Sequence, residues 1–258
     1  MTTARSDGVA LHYETAGDGP TLAFVGDVGF GAWQWAWQFD ALAGPFEALV
    51  YDLRGTGRSD APDGPYDVAT LVGDLEAVLS AAGVENAHLV GLGLGGIVAL
   101  EYARDHARAE TLTLLGTAAD TDGVDPMTLY APPDDPNGLR ETTERALSAA
   151  FVDEYPGAVE DVAAWRADDD ADRDAWSAQA AAVEGYEGGD LHEITTPALV
   201  VHGTGDGIWP PDGGRALADA LPRGEFEAVE GAGHLVQIEA SEAINDLLFA
   251  RAGTDDAF

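Results

Sequence analysis

Short apolar segments alternate with longer segments of helical period along most of this chain. The apolar segments predict strands at residues 9–15, 21–25, 46–52, 87–92, 111–116, 197–202 and 224–229. Between them, Leu71, Leu75, Val78 and Leu79 share one face of a predicted helix over 66–82, which Gly83 ends. A tryptophan-rich helix is predicted around residues 33–37, and another over 94–106. Because most strands are apolar on both faces, the pattern predicts an α/β fold in which helices cover a mostly parallel sheet.

Residues 121–193 interrupt this alternation. They contain no convincing strand pattern, and their composition shifts to Asp, Ala, Glu and Trp. Amphipathic, acidic helices are predicted at 139–151 and 161–176, and the acid run at 168–170 is interpreted as a solvated face. The sequence therefore predicts a core formed by residues 1–120 and 194–258, with 121–193 inserted as a helical cap.

The charge of the chain is extreme. It has 47 acidic and 12 basic residues, a net charge of −35, and every basic residue is arginine. Like charge at this density opposes a compact state, and salt relieves the repulsion because the Debye length falls to about 3 Å at 1 M. The composition resembles that of cytosolic proteins from salt-accumulating halophilic archaea. Nucleic acid and anionic membranes are not expected as partners, since no basic patch is available to bind them.

Other absences narrow the chemistry further. The chain has no cysteine, which excludes disulfides, thiolate metal sites and a cysteine nucleophile. Residues 1–8 do not resemble a signal peptide, and the longest apolar run, 89–100, is too short to cross a bilayer. We expect a cytoplasmic protein. The histidines at 12, 88, 106, 192 and 202 lack metal-like spacing, so neither a metal site nor a cofactor is expected.

A glycine-rich turn in mid-chain carries the most specific signal. Residues 88–96 read HLVGLGLGG, an apolar strand that runs through a tight turn into a helix. The turn resembles the nucleophile elbow of the α/β-hydrolase fold family, G-x-S-x-G, in which an exposed serine stands at the tip. Here Gly93 occupies that position, so the nucleophile is vacant. Restoring the hydroxyl with Gly93→Ser is expected to give ester cleavage through an acyl-enzyme.

Three further segments resemble this family. Residues 51–60, YDLRGTGRSD, are similar to its D-x-R-G-x-G-x-S turn. Residues 200–210 resemble the strand and loop that present the catalytic acid, here Asp206, and residues 230–239 resemble the loop that presents the histidine, here His234. Elbow, acid and histidine follow in the chain order of the family. The resemblance implies an α/β-hydrolase fold with Asp206 and His234 as a dyad, and Asp120 is the reserve candidate for the acid.

The resemblance also implies an oxyanion hole. The second strand is followed by Gly26-Asp27-Val28-Gly29, where many members of the family have a histidine-glycine pair. Backbone amides near Asp27 or Val28, together with the amide of Leu94, are the expected donors. A charged Asp27 side chain would oppose an oxyanion in that position.

The functional hypotheses follow from the vacant position. We expect an enzyme that resembles enol-lactonases and esterases and uses the His234–Asp206 dyad as a general base on a small organic substrate, in a hydrolytic or lyase-like reaction. One alternative is a non-catalytic ligand-binding or interaction protein, whose six tryptophans could line an apolar pocket. A second is a dinucleotide-binding oxidoreductase, because Gly91, Gly93 and Gly96 spell G-x-G-x-x-G after a strand. The sequence does not fix the substrate or the oligomeric state.

Overall fold

The sheet has eight strands in a computed structural model that describes residues 2–253. The strands are β1 (Thr3–Ser6), β2 (Val9–Ala16), β3 (Thr21–Val25), β4 (Glu47–Tyr51), β5 (Ala87–Leu92), β6 (Ala109–Leu115), β7 (Ala198–Gly203) and β8 (Gly224–Val229). Their spatial order is β1-β2-β4-β3-β5-β6-β7-β8. β1 and β2 pair antiparallel, as do β2 and β4, and the other neighbours pair parallel. The carboxyl ends of β3, β5, β7 and β8 therefore lie along one edge of the sheet.

The central strands form the core. Every residue of β3, β5 and β7 is buried, as expected for parallel strands covered on both faces. The covering helices are α1 (Ala36–Leu42), α2 (Val68–Ala82), α3 (Leu94–Asp105), α8 (Pro211–Ala220), α9 (Val236–Glu239) and α10 (Ser241–Ala252). The predicted α/β-hydrolase architecture is confirmed.

The bounds of α2 follow from its ends. The Asp67 carboxylate accepts a hydrogen bond from the Thr70 amide at 2.8 Å, which satisfies a backbone donor of the first turn. At the other end Gly83 adopts φ 76°, a left-handed conformation that glycine accommodates and that ends the helix. The helix predicted over 66–82 therefore differs from α2 only at its N-terminal end, where α2 begins at Val68.

The capping segment, residues 121–193, contains helices and no strand of the eight-stranded sheet. Its helices are α4 (Pro136–Ala146), α5 (Ala149–Glu154), α6 (Pro156–Asp169) and α7 (Arg173–Ala180). Periodicity predicted two helices here, but the structure has four. Each predicted span contains the start of a new helix, because Ser148 and Asp172 act as N-caps within the spans. An isolated bridge joins Asp120 to Glu187 where the segment meets the core.

The acid run in this segment is not a solvated face throughout. The side chain of Asp170 is fully buried and pairs with fully buried Arg166 at 2.7 Å. Asp170 also accepts hydrogen bonds from the Trp33 indole at 2.8 Å and the Gly31 amide at 3.3 Å. Burial raises the pKa of the Asp170 carboxyl, and the Arg166 guanidinium partly offsets this. Asp170 thus attaches the capping segment to the loop after β3, and the solvated interpretation was wrong for this residue.

Within residues 2–253, no helix combines the length and the apolar character that a membrane span requires.

Candidate active site

Gly93 stands at the tip of a sharp turn between β5 and α3. Its backbone has φ 52° and ψ −114°, a region that residues with a β-carbon rarely adopt. Two hydrogen bonds hold the turn: the Gly93 amide donates to the Leu115 carbonyl at 3.0 Å, and the Thr117 hydroxyl donates to the Gly93 carbonyl at 2.8 Å. The backbone conformation of a nucleophile elbow is therefore present, and Gly93 adopts it without the strain that a β-carbon would add.

Asp206 lies in the loop after β7, at the same edge of the sheet. One carboxylate oxygen, Oδ1, accepts hydrogen bonds from the amides of Ile208 and Trp209 at 2.8 and 2.9 Å. The other, Oδ2, lies 2.9 Å from His234 Nδ1 and 3.3 Å from His202 Nε2. Burial raises the pKa of the Asp206 carboxyl, but the His234 charge and these hydrogen bonds outweigh burial, so the pKa lies well below its ordinary value. Asp206 is therefore a carboxylate at neutral pH.

His234 is held between two carboxylates in the loop after β8. Its Nδ1 lies 2.9 Å from Asp206 Oδ2, and its Nε2 lies 2.9 Å from Asp27 Oδ2. Burial lowers the pKa of the ring, but the two carboxylates more than reverse this and raise the pKa to about 10. At neutral pH His234 is therefore an imidazolium that donates a proton in both directions.

Glu239 fixes the loop that carries His234, a role that no motif in the sequence indicated. Its Oε1 accepts hydrogen bonds from the amides of Gly233 at 2.7 Å and Ser148 at 2.9 Å, and its Oε2 contacts the Ser148 hydroxyl. Since Ser148 lies in the capping segment, Glu239 links the histidine loop to the segment above it. The only signal in the sequence was an acid five residues after the histidine.

Asp27 lies at the expected oxyanion hole, but its carboxylate, rather than its backbone amide, faces that position. Its backbone amide, one of the expected oxyanion donors, donates to the Gln34 side-chain oxygen at 3.0 Å in this structure. Its Oδ1 accepts a hydrogen bond from the Leu94 amide at 2.8 Å, which uses the second expected donor. The Val28 amide has no acceptor among residues 2–253, so of the three expected donors it alone is unoccupied there.

The Asp27 carboxylate also fills the space above Gly93. An ideal β-carbon on Gly93 would lie 2.1 Å from Asp27 Oδ1, 2.4 Å from Cγ and 2.7 Å from Oδ2. Real β-carbons do not approach other atoms this closely, so a serine at position 93 requires Asp27 to move. The expectation that Gly93→Ser alone restores an esterase therefore depends on displacement of the Asp27 carboxylate.

The capping segment closes over these groups. Gln179 of α7 accepts a hydrogen bond from the Gly29 amide and donates one to the Arg54 carbonyl, both at 2.7 Å. Trp176 packs directly on Gly29, where even a β-carbon would lie 1.9 Å from the indole ring. As a result Asp27 and His234 are each only 1% exposed. A cavity of about 880 Å³ beside the segment is lined by residues 120–127 and parts of 173–187 and does not reach them.

The remaining sequence candidates lie outside this cluster. Asp120 is exposed and accepts a hydrogen bond from the Asp122 amide at 2.9 Å, so it does not replace Asp206. No metal site was expected, yet Asp190, His192 and Glu193 present ligand atoms within 4.8 Å of one another. All three are exposed, as acidic surface groups often are in the absence of a metal. The tryptophans do not form one pocket: Trp35, Trp176 and Trp209 are buried, and Trp165 is 37% exposed.

Comparison with known proteins agrees with this fold. A family model described as alpha/beta hydrolase fold matches residues 24–241. The chain is 26% identical to the protein named "Putative carbamate hydrolase RutD" of Azorhizobium caulinodans, over 99% of this chain and 100% of that protein. It is 27% identical to 3-oxoadipate enol-lactonase 2 of Acinetobacter baylyi, over 94% and 93% of the two chains. The solved enol-lactonase of Burkholderia xenovorans LB400 matches with a TM-score of 0.84 and 27% identity, over 98% of this chain and 100% of that one.

Proposed function

Because the chain belongs to the α/β-hydrolase fold family, we propose that it is a cofactor-free enzyme that cleaves a small organic substrate at the cluster of Gly93, Asp206 and His234. The observation that carries the proposal is the buried 2.9 Å contact between Asp206 and His234, at the same edge of the sheet as the sharp turn at Gly93. A protein that only bound a ligand would have little need of an oriented histidine and acid there. The relatives are named hydrolases and lactonases, which supports an enzyme.

The proton chemistry depends on Asp27. In the closed site His234 is charged up to about pH 10, so it is a proton donor rather than a base. The ring becomes a general base toward water or an acidic substrate proton when the Asp27 charge is withdrawn or neutralised. We therefore assign the Asp206–His234 dyad the role of moving protons, with Asp27 controlling the direction.

The names of the relatives do not select one substrate. They include a carbamate hydrolase and enol-lactonases, and a solved structure at 26% identity is described as an N-acyl homoserine lactone degrading enzyme. The carbamate hydrolase and the enol-lactonases are named for hydrolysis of a small molecule. Hydrolysis is accordingly favoured over a lyase-like reaction.

Two alternatives have different support. A non-catalytic binding protein is favoured by the near-complete burial of Asp27 and His234 beneath the capping segment. Dinucleotide binding is disfavoured, because the Asp27 carboxylate already accepts the Leu94 amide at the start of α3 and would repel a pyrophosphate.

The net charge of −35 supports a protein adapted to molar salt in the cytoplasm of a halophilic archaeon. Assays therefore belong in concentrated KCl.

A proton-release assay tests the proposed function. Aryl acetates, lactones and 1-bromoalkanes each release acid on hydrolysis, and a pH indicator in weakly buffered KCl records all three classes. We expect catalysed release for at least one class, and its loss in His234→Gln. The matched control is His106→Gln, whose ring stacks on Tyr102 away from the cluster, and it should retain activity. Release no faster with the wild type than with His234→Gln for every class would contradict the proposal.

A further inference from the structure

We propose that Asp27 is the nucleophile of this site, and that its carboxylate displaces a halide from a saturated carbon of a small substrate. The inference rests on the hydrolytic function proposed above and adds the attacking group and the substrate class. It places the nucleophile on the loop after β3 instead of on the elbow.

The contacts of Asp27 are those that a nucleophile at the elbow would make. The carboxylate stands within 2.1–2.7 Å of the point where a side chain on residue 93 would begin. Oδ2 lies 2.9 Å from Nε2 of the catalytic histidine candidate, and Oδ1 lies 2.8 Å from the Leu94 amide. The side chain missing from Gly93 is thus replaced by one from another loop.

The two oxygens have different surroundings, which assigns their roles. Oδ1 accepts the Leu94 amide and is suited to become the carbonyl oxygen of an ester. That amide would then stabilise the oxyanion formed when the ester is hydrolysed. Among residues 2–253, Oδ2 has His234 as its one hydrogen-bond partner, and it is the oxygen that attacks. A free Leu94 amide is therefore not required before the reaction begins.

The first step forms an ester. Oδ2 attacks the saturated carbon, the carbon–halogen bond breaks, and the halide leaves with the bonding electrons. The ester is neutral, so His234 loses one of the two carboxylates that raise its pKa and releases its Nε2 proton to solvent. The proton and the halide together are the acid product. The dyad becomes a base at the point where water must be activated.

The second step regenerates the carboxylate. His234 Nε2 takes a proton from water as the water oxygen attacks Asp27 Cγ, and negative charge develops on Oδ1 beside the Leu94 amide. The tetrahedral intermediate breaks its bond to the alkoxide, which takes the proton from Nε2 and leaves as an alcohol. The protonated Asp27 then returns its proton to His234. The balance is alkyl halide plus water to alcohol plus hydrogen halide.

The position of His234 selects the leaving group. Displacement at saturated carbon sends the leaving group away on the side opposite the attacking oxygen. His234 Nε2 lies 2.9 Å from that attacking oxygen, so its proton cannot reach the far side. The leaving group must therefore depart without protonation, which suits halide and excludes an alkoxide. Attack on an ester carbonyl would give an anhydride more reactive than the ester itself, so carbonyl substrates are disfavoured.

Isotope transfer in a single turnover tests this assignment in the wild-type protein. Excess enzyme in concentrated KCl and H₂¹⁸O is given each 1-bromoalkane from bromoethane to 1-bromohexane, and the peptide that contains Asp27 is analysed by mass spectrometry. The proposal requires one ¹⁸O in the Asp27 carboxylate and unlabelled alcohol, because water attacks Cγ. Label in the alcohol with none in Asp27 would mean direct attack by water and would overturn the assignment.

Substitutions distinguish the proposed Asp27 nucleophile from the proposed hydrolytic function. Asp27→Asn keeps the shape and removes the nucleophile, so debromination should fall by on the order of 10⁴-fold or more. Asp52→Asn is the matched control, since Asp52 is also a buried carboxylate on a neighbouring loop that binds backbone amides. Its activity should stay within a few-fold. Turnover of esters or lactones that needs His234, with no debromination of any bromoalkane, would refute the Asp27 nucleophile and leave the proposed function standing. Absence of His234-dependent turnover in all classes would refute both.

Discussion

The Asp27 carboxylate, where it stands, leaves no room for a side chain at position 93. A β-carbon on Gly93 would lie 2.1 Å from Asp27 Oδ1, well inside van der Waals contact. The glycine at the elbow and the acid on the loop after β3 therefore compensate for each other. A substitution at one position has to be judged with the other.

This relationship predicts the behaviour of serine at position 93. Gly93→Ser alone should destabilise the protein by about 1–3 kcal/mol through overpacking and should show no burst with 4-nitrophenyl acetate. Gly93→Ser combined with Asp27→Ala removes the clash and frees the Leu94 amide at the same time. The double variant should give a burst of 4-nitrophenol that His234→Gln abolishes.

The control for this pair is Asp27→Ala by itself, which frees the amide without supplying a hydroxyl. It should show no burst. A burst from Gly93→Ser alone that equals that of the double variant would mean that Asp27 does not obstruct position 93.

Stability should fall as the pH rises toward 10. The pKa of His234 is raised from its ordinary value of 6.5 to about 10 by Asp206 and Asp27, despite burial. Its stabilising contribution is therefore fully present below about pH 6.5 and is lost as the pH rises through about 10. Urea unfolding at constant KCl should show the free energy of unfolding decline by a few kcal/mol over this range. His234→Gln should remove most of the decline, and an equal slope in both proteins would assign it to other groups.

The folded state should depend on salt. A net charge of −35 repels itself over a Debye length of about 10 Å at 0.1 M salt and about 3 Å at 1 M. The melting temperature should therefore rise steeply between roughly 0.1 M and 1 M KCl. Sucrose at matched osmolality is the control, because it is excluded from the protein surface but does not screen charge. A melting temperature that is constant in KCl would show that charge repulsion does not limit the stability of this protein.

Replacing Gln179 in α7 should weaken the attachment of the capping segment to the loops at Gly29 and Arg54. Gln179 binds the Gly29 amide and the Arg54 carbonyl, so Gln179→Met leaves two buried backbone groups unpaired at a cost of roughly 1–3 kcal/mol each. Hydrogen exchange of the loop at residues 26–31 should become faster, and turnover should increase where opening is limiting. Gln38→Met is the matched control, since Gln38 is equally buried but donates to the Gln237 carbonyl, outside residues 26–31. If hydrogen exchange at residues 26–31 became equally faster in both variants, the cause would be general destabilisation of the fold.

The sequence predicted the core strands closely because their burial is unambiguous. β3 and β5 have the predicted bounds, and the apolar pattern of a covered parallel sheet accounts for this. β8 also has the predicted bounds, although it is an edge strand with no fully buried residue. The first hairpin was missed, since β1 has four residues of which only two are buried. The Asp7-Gly8 pair between β1 and β2 was the available signal. Both residues have positive φ, and this pair is typical of tight hairpin turns.

The candidate site was predicted in part. The motifs placed Gly93, Asp206 and His234, and strand order brings the last two into contact. The orientation of Asp27 was not predictable, because it depends on Gln34 binding its amide and on the empty volume above Gly93. Both are properties of packing between segments that are distant in the sequence. For the same reason the pattern of acids could not distinguish buried Asp170 from exposed Asp168.

The protonation state of His234 reports on the Asp27 carboxylate that its Nε2 contacts. With the ring nitrogens labelled with ¹⁵N, NMR in concentrated KCl follows both through a pH titration in the wild type and in Asp27→Asn. In the wild type both nitrogens should carry protons from neutral pH to about pH 10, and the pKa of His234 should fall clearly when Asp27 is replaced. A neutral wild-type ring at pH 7, or a pKa that Asp27→Asn leaves unchanged, would contradict a carboxylate of Asp27 bound at the vacant position of the elbow.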